Sequence, residues 1–317
     1  MPQNRFDVLV MASMSAGKTS LINGLIGCEM LHVANEATTA VNTCIEHQRG
    51  AKTFTGSCYS QSGLLLNKLR CISSEQLRTW NADSQITRIS LSGRFKSRPG
   101  QTSGLVLHDT PGPNNSLDRR HADRAFEAVR RVPFKTLLYV LDAAQLGTSD
   151  DMNILERLCQ ETCSESRDAF CFVLNKVDLL DVEKGEALEA YVEKAQFYLA
   201  EVGFDNAVII PTMANAGLYA RKAWNDEPLS RFQLIKLQQA LDELPIRKQT
   251  LLETARIPAS VRNRLHDNLK KLTKHSIADR KNHWLTQENE LRELIICSGL
   301  GTVEAFIKHQ RKLSAPV

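Results

Sequence analysis

Two hydrophobic periods alternate along this chain, and the switches between them set out its elements. Residues 6–11, Phe-Asp-Val-Leu-Val-Met, are a short β-prone run of the kind buried as a parallel strand. Residues 20–26 follow at helical spacing, with Leu21, Ile22, Leu25 and Ile26 on one side. Further strands are predicted at 41–47, 86–95, 104–108, 137–141, 169–174 and 207–210. Helical spacing marks 64–71, 73–82, 117–132, 152–163, 183–202, 233–244, 259–275 and 284–297. Gly299 and Gly301 break the last of these, and Thr302 is placed to cap a final helix over 303–309. Residues 51–62 and 95–104 read as irregular. This alternation specifies an α/β fold, a doubly wound and mostly parallel sheet with a helical C-terminal portion. The expected division is 1–230 for the sheet domain and 231–317 for helices that pack back on it.

Composition narrows the class. An apolar content of 42% supplies an ordinary globular core. A net charge of +4 is too mild for nucleic acid to be the main partner. The eight cysteines contain no C-x-x-C pair. Cys159 and Cys163, read as neighbours on one helix, are expected to be free thiols. No apolar run approaches the roughly 20 residues that span a bilayer. The chain runs almost at once into its first strand, with no secretory leader, so a reducing cytoplasm is expected.

Chemistry concentrates at the predicted strand ends. Residues 12–19, Ala-Ser-Met-Ser-Ala-Gly-Lys-Thr, nearly match the phosphate-binding loop G-x-x-x-x-G-K-[ST], with Ala12 in place of the first glycine. Such a loop curls backbone N–H groups around a phosphate at a helix N-terminus, where the dipole favours negative charge. The contacts expected there come from Ser13, Met14, Ser15, Ala16, Gly17, Lys18, Thr19 and Ser20. Gly17 allows close approach, Lys18 reaches the β- and γ-phosphates, and the Thr19 hydroxyl binds Mg²⁺. The polar loop over 31–43 offers Thr38 and Thr39 as candidate γ-phosphate sensors and Mg²⁺ ligands. Asp109-Thr-Pro-Gly112 ends another strand, its carboxylate suited to Mg²⁺ and the Gly112 N–H to the γ-phosphate. In Asn175-Lys-Val-Asp178, the Asp178 carboxylate can accept two hydrogen bonds from guanine, a donor pair adenine lacks. The Lys176 stem can lie over the base and Asn175 can brace the loops. In the 211–216 stretch, the Ala214 N–H could meet the guanine O6. The basic helix bearing Arg119, Arg120, Arg124, Arg130 and Arg131 reads as a solvated face.

Taken together and in this order, the motifs are those of a P-loop GTPase. Four stretches, M-S-A-G-K-T-S-L-I-N, N-E-A-T-T-A, D-T-P-G-P-N-N-S and D-A-A-Q-L-G-T-S-D-D, resemble the bacterial dynamin-like branch of the dynamin superfamily. The resemblance covers about 6–220, and S-G-L-G-T-V-E-A-F-I near the end is similar to that family's last GTPase-domain helix. It implies GTP hydrolysis with Mg²⁺. It also implies that Ser15 stabilises the β–γ bridging charge and that Thr39 positions the attacking water. A homodimer across the nucleotide face, or a partner dynamin-like protein, follows from the same kinship. Peripheral membrane contact is implied by kinship alone. Met14 stands where eukaryotic dynamins carry Gln, and Pro113 where small GTPases keep a water-positioning Gln. Slow, partner-dependent hydrolysis is therefore expected, against the alternative of a GTP-binding switch with negligible turnover.

Overall fold

The apolar run at the start of the chain becomes a central strand of a nine-stranded sheet. The computed structural model describes residues 5–32, 41–97, 104–111, 119–181, 184–278 and 283–314. The strands are β1 Phe6–Ala12, β2 Asn42–His47, β3 Thr55–Tyr59, β4 Leu65–Leu69, β5 Arg88–Gly93, β6 Leu105–Asp109, β7 Thr136–Asp142, β8 Phe170–Asn175 and β9 Val208–Thr212. The helices are α1 Lys18–Ile26, α2 Ser74–Ala82, α3 Arg119–Arg131, α4 Ser149–Glu161, α5 Ser164–Arg167, α6 Leu188–Val202, α7 Ala214–Trp224, α8 Arg231–Thr254, α9 Ala259–Ala278, α10 His283–Cys297 and α11 Leu300–Leu313. Strand order is β4, β3, β5, β2, β6, β1, β7, β8, β9. The run from β6 to β9 is parallel throughout, and the antiparallel pairs are β2 with β6, β3 with β4 and β3 with β5.

Period two on β1 sorts its side chains onto two cores. Val8 and Val10 join Leu21 and Ile22 of α1 and Phe306 of α11. Leu9 and Met11 join Phe126 of α3, Leu155 of α4 and Leu199 of α6 on the other face. All seven β1 positions are buried, as a strand covered on both faces requires. Helices on both faces make the sheet doubly wound.

Several elements depart from the hydrophobic pattern. The 64–71 segment is not a helix: residues 65–69 form edge strand β4, because pairing with β3 decides a short apolar run that local spacing leaves ambiguous. Residues 51–62 are not all irregular, since β3 lies within them. Its Gly56 is needed because a Cβ there would strike Ile72 and Trp80. Helix α7 begins at Ala214, inside the 211–216 stretch for which no helix is predicted. Its Gly217 weakens helix propensity but admits Ser298 and Leu300 against the backbone. Helix α8 continues through Pro245 instead of ending before it, held by buried Leu244, Leu251 and Leu252 on either side of the proline. Cys163 lies beyond the end of α4 and so does not share its face with Cys159. Gly299, at φ +83°, caps α11, and Thr302 is buried within that helix instead of capping it.

One buried charge joins the helices on the α1 side. Arg221 of α7 is completely buried, donates to the Gly24 carbonyl of α1 and pairs with Glu304 of α11 at 2.7 Å. Removing one partner of such a pair strands the other in a low-dielectric site. Arg221→Ala is therefore expected to destabilise the fold by about 3–5 kcal/mol. Urea unfolding followed by circular dichroism checks this, and a loss within ordinary surface-mutation range would contradict it.

Candidate functional site

The predicted loop residues gather at the carboxyl ends of β1, β6 and β8. Between β1 and α1 the backbone twists sharply, with Ser15 at φ +62° and Gly17 at φ +96°. Ser15 and Met14 are exposed at the loop tip, while Ala16 is buried. Gly17 is held to glycine twice over. Its φ lies in the left-handed region, and a Cβ would run into the Asn175 amide. Lys18 opens α1 and is buried, Thr19 is half-buried, and Ser20 is buried one residue on.

Asn175, the last residue of β8, spans the rim. Its Nδ2 donates to the Ala16 carbonyl at 2.9 Å, and its Oδ1 accepts from the Ala214 N–H at 3.1 Å. One amide thus joins the phosphate-type loop to the start of α7. The Ala214 N–H, expected from sequence to face a guanine O6, is already engaged by this bond.

Lys18 forms a buried ion pair with Asp109 at the end of β6. Thr110 anchors the same strand end by donating to the Val10 carbonyl at 2.9 Å. On the other side of β1, Lys176 reaches Asp142 at 2.6 Å, and Asp142 also accepts from the Ala144 N–H at 3.0 Å. Lys176 takes a left-handed φ of +65°, which turns the chain into the tight bend over Val177–Leu179. Asp178 is exposed on that bend. Although the side chain reaches solvent, the chain packed around its carboxyl raises the pKa by desolvation, opposed by its own N–H and by the positive charges of Arg247 and Lys236, with Glu243 adding to the rise.

Sequence reasoning missed Asp151 as part of this assembly. It is buried at the start of α4, accepts from the Tyr139 hydroxyl at 2.9 Å and is hydrogen-bonded to Ser13 of the loop. Its signal was the Thr148 cap, whose hydroxyl accepts from the Asp151 N–H at 3.3 Å. Burial raises the Asp151 pKa, against the two hydroxyl donors, with Asp142 and Asp150 adding to the rise. Thr38, Thr39, Gly112 and Pro113 lie outside the described residues.

With the geometry in view, comparison with known proteins gives the class. The model of the dynamin family matches residues 8–177, more than half of the chain, and the chain belongs to that family. No curated protein matches the chain by sequence. Two solved chains come from an oligomerised bacterial dynamin pair, described as providing a mechanism for the long-range sensing and tethering of membranes. One is 16% identical with a TM-score of 0.52, over 90% of this chain and 46% of its own length. The other is 17% identical with a TM-score of 0.52, over 92% and 45%. This chain therefore spans under half the length of those bacterial dynamins, and the likeness is one of fold. Among the described residues, no helix is long and apolar enough to cross a membrane.

Two outcomes follow from the geometry. Gly17→Ala is expected to cost about 1–2 kcal/mol in backbone strain and to push Asn175 off Ala16, seen as a lower urea midpoint. An unchanged midpoint would show that the loop relaxes freely. Because the Asp151 pKa is raised by folding, the stability linked to its proton is full below about 3.9 and is lost as pH rises through the folded value. Asp151→Asn, which keeps the polar partners without the charge, is expected to melt at or above wild type at pH 7, with the gap closing towards pH 4. A variant that melts lower at pH 7 would assign the carboxylate a net stabilising role.

Proposed function

We propose that this dynamin-family GTPase domain binds GTP with Mg²⁺ and hydrolyses it to GDP and phosphate. The observation that carries the reading is the Asn175 bridge. It holds the loop bearing Lys18 and the turn bearing Asp178 on one rim, as a single nucleotide would need. Lys18 would sit against the β- and γ-phosphates, and Asp178 would accept from the guanine edge. The pair between Lys18 and Asp109 would open as Lys18 turns to phosphate oxygen. That frees a carboxylate which, with the Thr19 hydroxyl, offers the hard oxygen donors that suit Mg²⁺. Bound there, Mg²⁺ would neutralise charge on the phosphates. Ser13, Met14, Ser15, Ala16 and Ser20 would contribute the rest of the phosphate cradle, with Ser15 nearest the β–γ bridge. Asn175, Lys176 and Ala214 would frame the base. Thr39 and Gly112 keep the roles implied by kinship, in positioning water and sensing the γ-phosphate.

The loop tip supports pairing across the nucleotide face. Met14 is 48% exposed there and carries no hydrogen-bonding group for a water, so a partner chain is the source of the missing order. The same observation favours a second reading, a GTP-bound switch that recruits a partner with negligible turnover.

Turnover measured against protein concentration separates the two. We expect the rate per molecule to rise with concentration, Lys18→Ala to abolish it, and Asp178→Asn to shift preference from GTP to xanthosine triphosphate by at least about a hundredfold. Tight GTP binding without turnover at any concentration would select the switch. No binding of guanine nucleotide would remove both.

A further inference from the structure

We propose that Arg247 of α8 is a positioning residue for guanine recognition, clamping the turn that presents the Asp178 carboxylate; this rests on the guanine reading above. Arg247 lies outside the family-matched stretch of 8–177, seventy residues from the turn it touches. Its Nη1 donates to the Val177 carbonyl at 3.2 Å and its Nη2 to the Leu180 carbonyl at 3.4 Å. The two acceptors bracket Asp178, so one planar fork holds both flanks of the bend. The fork is itself aimed by Glu243, one helical turn earlier, which accepts from Arg247 Nε at 2.6 Å. Leu244 of α8 is buried in the same core as Val177 and Leu180 of the bend, which keeps the helix against it.

The geometry suits this task better than simple stapling. A 3₁₀ bend of three residues has few internal bonds to hold its middle side chain in place. Selection of guanine over adenine depends on the orientation of one carboxylate, and a carboxylate that wanders loses that selectivity before it loses its charge. Arg247 also supplies charge. The charged groups that bear on Asp178 are Arg247, Lys236 and Glu243 on α8, and Tyr219 of α7 lies close enough to feel the carboxylate. Arg247 is the larger of the two favourable α8 contributions. Orientation and charge can be separated by substitution, because lysine retains the charge and loses the fork.

The test uses the full chain and titrates fluorescent GDP and ADP analogues across pH 5–8. The proteins are wild type, Arg247→Ala, Arg247→Lys and, as a charge control without a bond to the bend, Lys236→Ala. Arg247→Ala is expected to weaken GDP about tenfold, with little change for ADP, so that the GDP-to-ADP ratio falls. Its acid limb for GDP should move to higher pH, because losing a positive neighbour raises the Asp178 pKa further. Arg247→Lys should show the same fall in ratio with the acid limb near that of wild type. Lys236→Ala should keep the wild-type ratio. If Arg247→Ala fails to fold, Arg247→Lys carries the ratio test alone. Equal ratios in wild type and in every folded Arg247 variant would overturn the proposal and reduce the contact to a structural staple. A wild-type protein that binds no GDP would overturn the guanine reading and this inference together.

Discussion

A single side-chain amide holds the candidate site in register. Asn175 leaves β8 with its donor on Ala16 and its acceptor on Ala214, and Gly17 is bare of a Cβ so that the amide can approach. Both halves of the amide are used, and it is buried, so neither half can be lost without leaving a polar group unpaired. Through it the β1–α1 loop, the β8 turn and the start of α7 become one rigid rim. The neighbouring pairs, Lys18 with Asp109 and Lys176 with Asp142, attach to that rim from either side. Asp151 supports it from beneath through Ser13.

Much of this rim was legible before any coordinates. The loop at 12–19, the carboxylate at 109 and the 175–178 motif each sit where an apolar strand ends, and the strands of the parallel run read cleanly because burial on both faces leaves continuous apolar stretches. The rest was hidden for identifiable reasons. In β3, Gly56 and Ser57 interrupt the strand signal of Thr55 and Tyr59, and Ile72 and Trp80 packed over Gly56 account for the glycine. Helix α7 was masked by Gly217, chosen for the contact with Leu300 and not for helix propensity. The spacing predicts a helix over 233–244, directly before Pro245, yet buried leucines on both sides of the proline outweigh one missing backbone bond. The bonds from Arg247 join residues about seventy positions apart, a separation at which no local pattern carries information.

The C-terminal helices are built into the sheet domain. Helix α11 contributes Leu300, Val303 and Phe306 to the core beneath α1, and Leu300 fills the space left by Gly24 and Gly217. Arg221 ties α7 to α1 and α11 through one guanidinium. On the far side, α8 lies over the turn at Val177–Leu179, and Lys222, Glu29 and Gln233 lace its start to the segment that follows α1. A change in the angle of α8 would therefore be felt at the turn of Asp178.

The two margins of the sheet are finished differently. At β9, Pro211 withholds a backbone donor and Arg256 exchanges two bonds with Ile209, so that border is sealed. At β4 no further strand pairs among the described residues, and Leu64, Leu65 and Leu66 stand 65%, 48% and 40% exposed beside it, with Lys68 as a charged guard. Strand-on-strand accretion in a concentrated solution would thus grow outward from β4, where the ammonium group of Lys68 is the charge set against three exposed leucines.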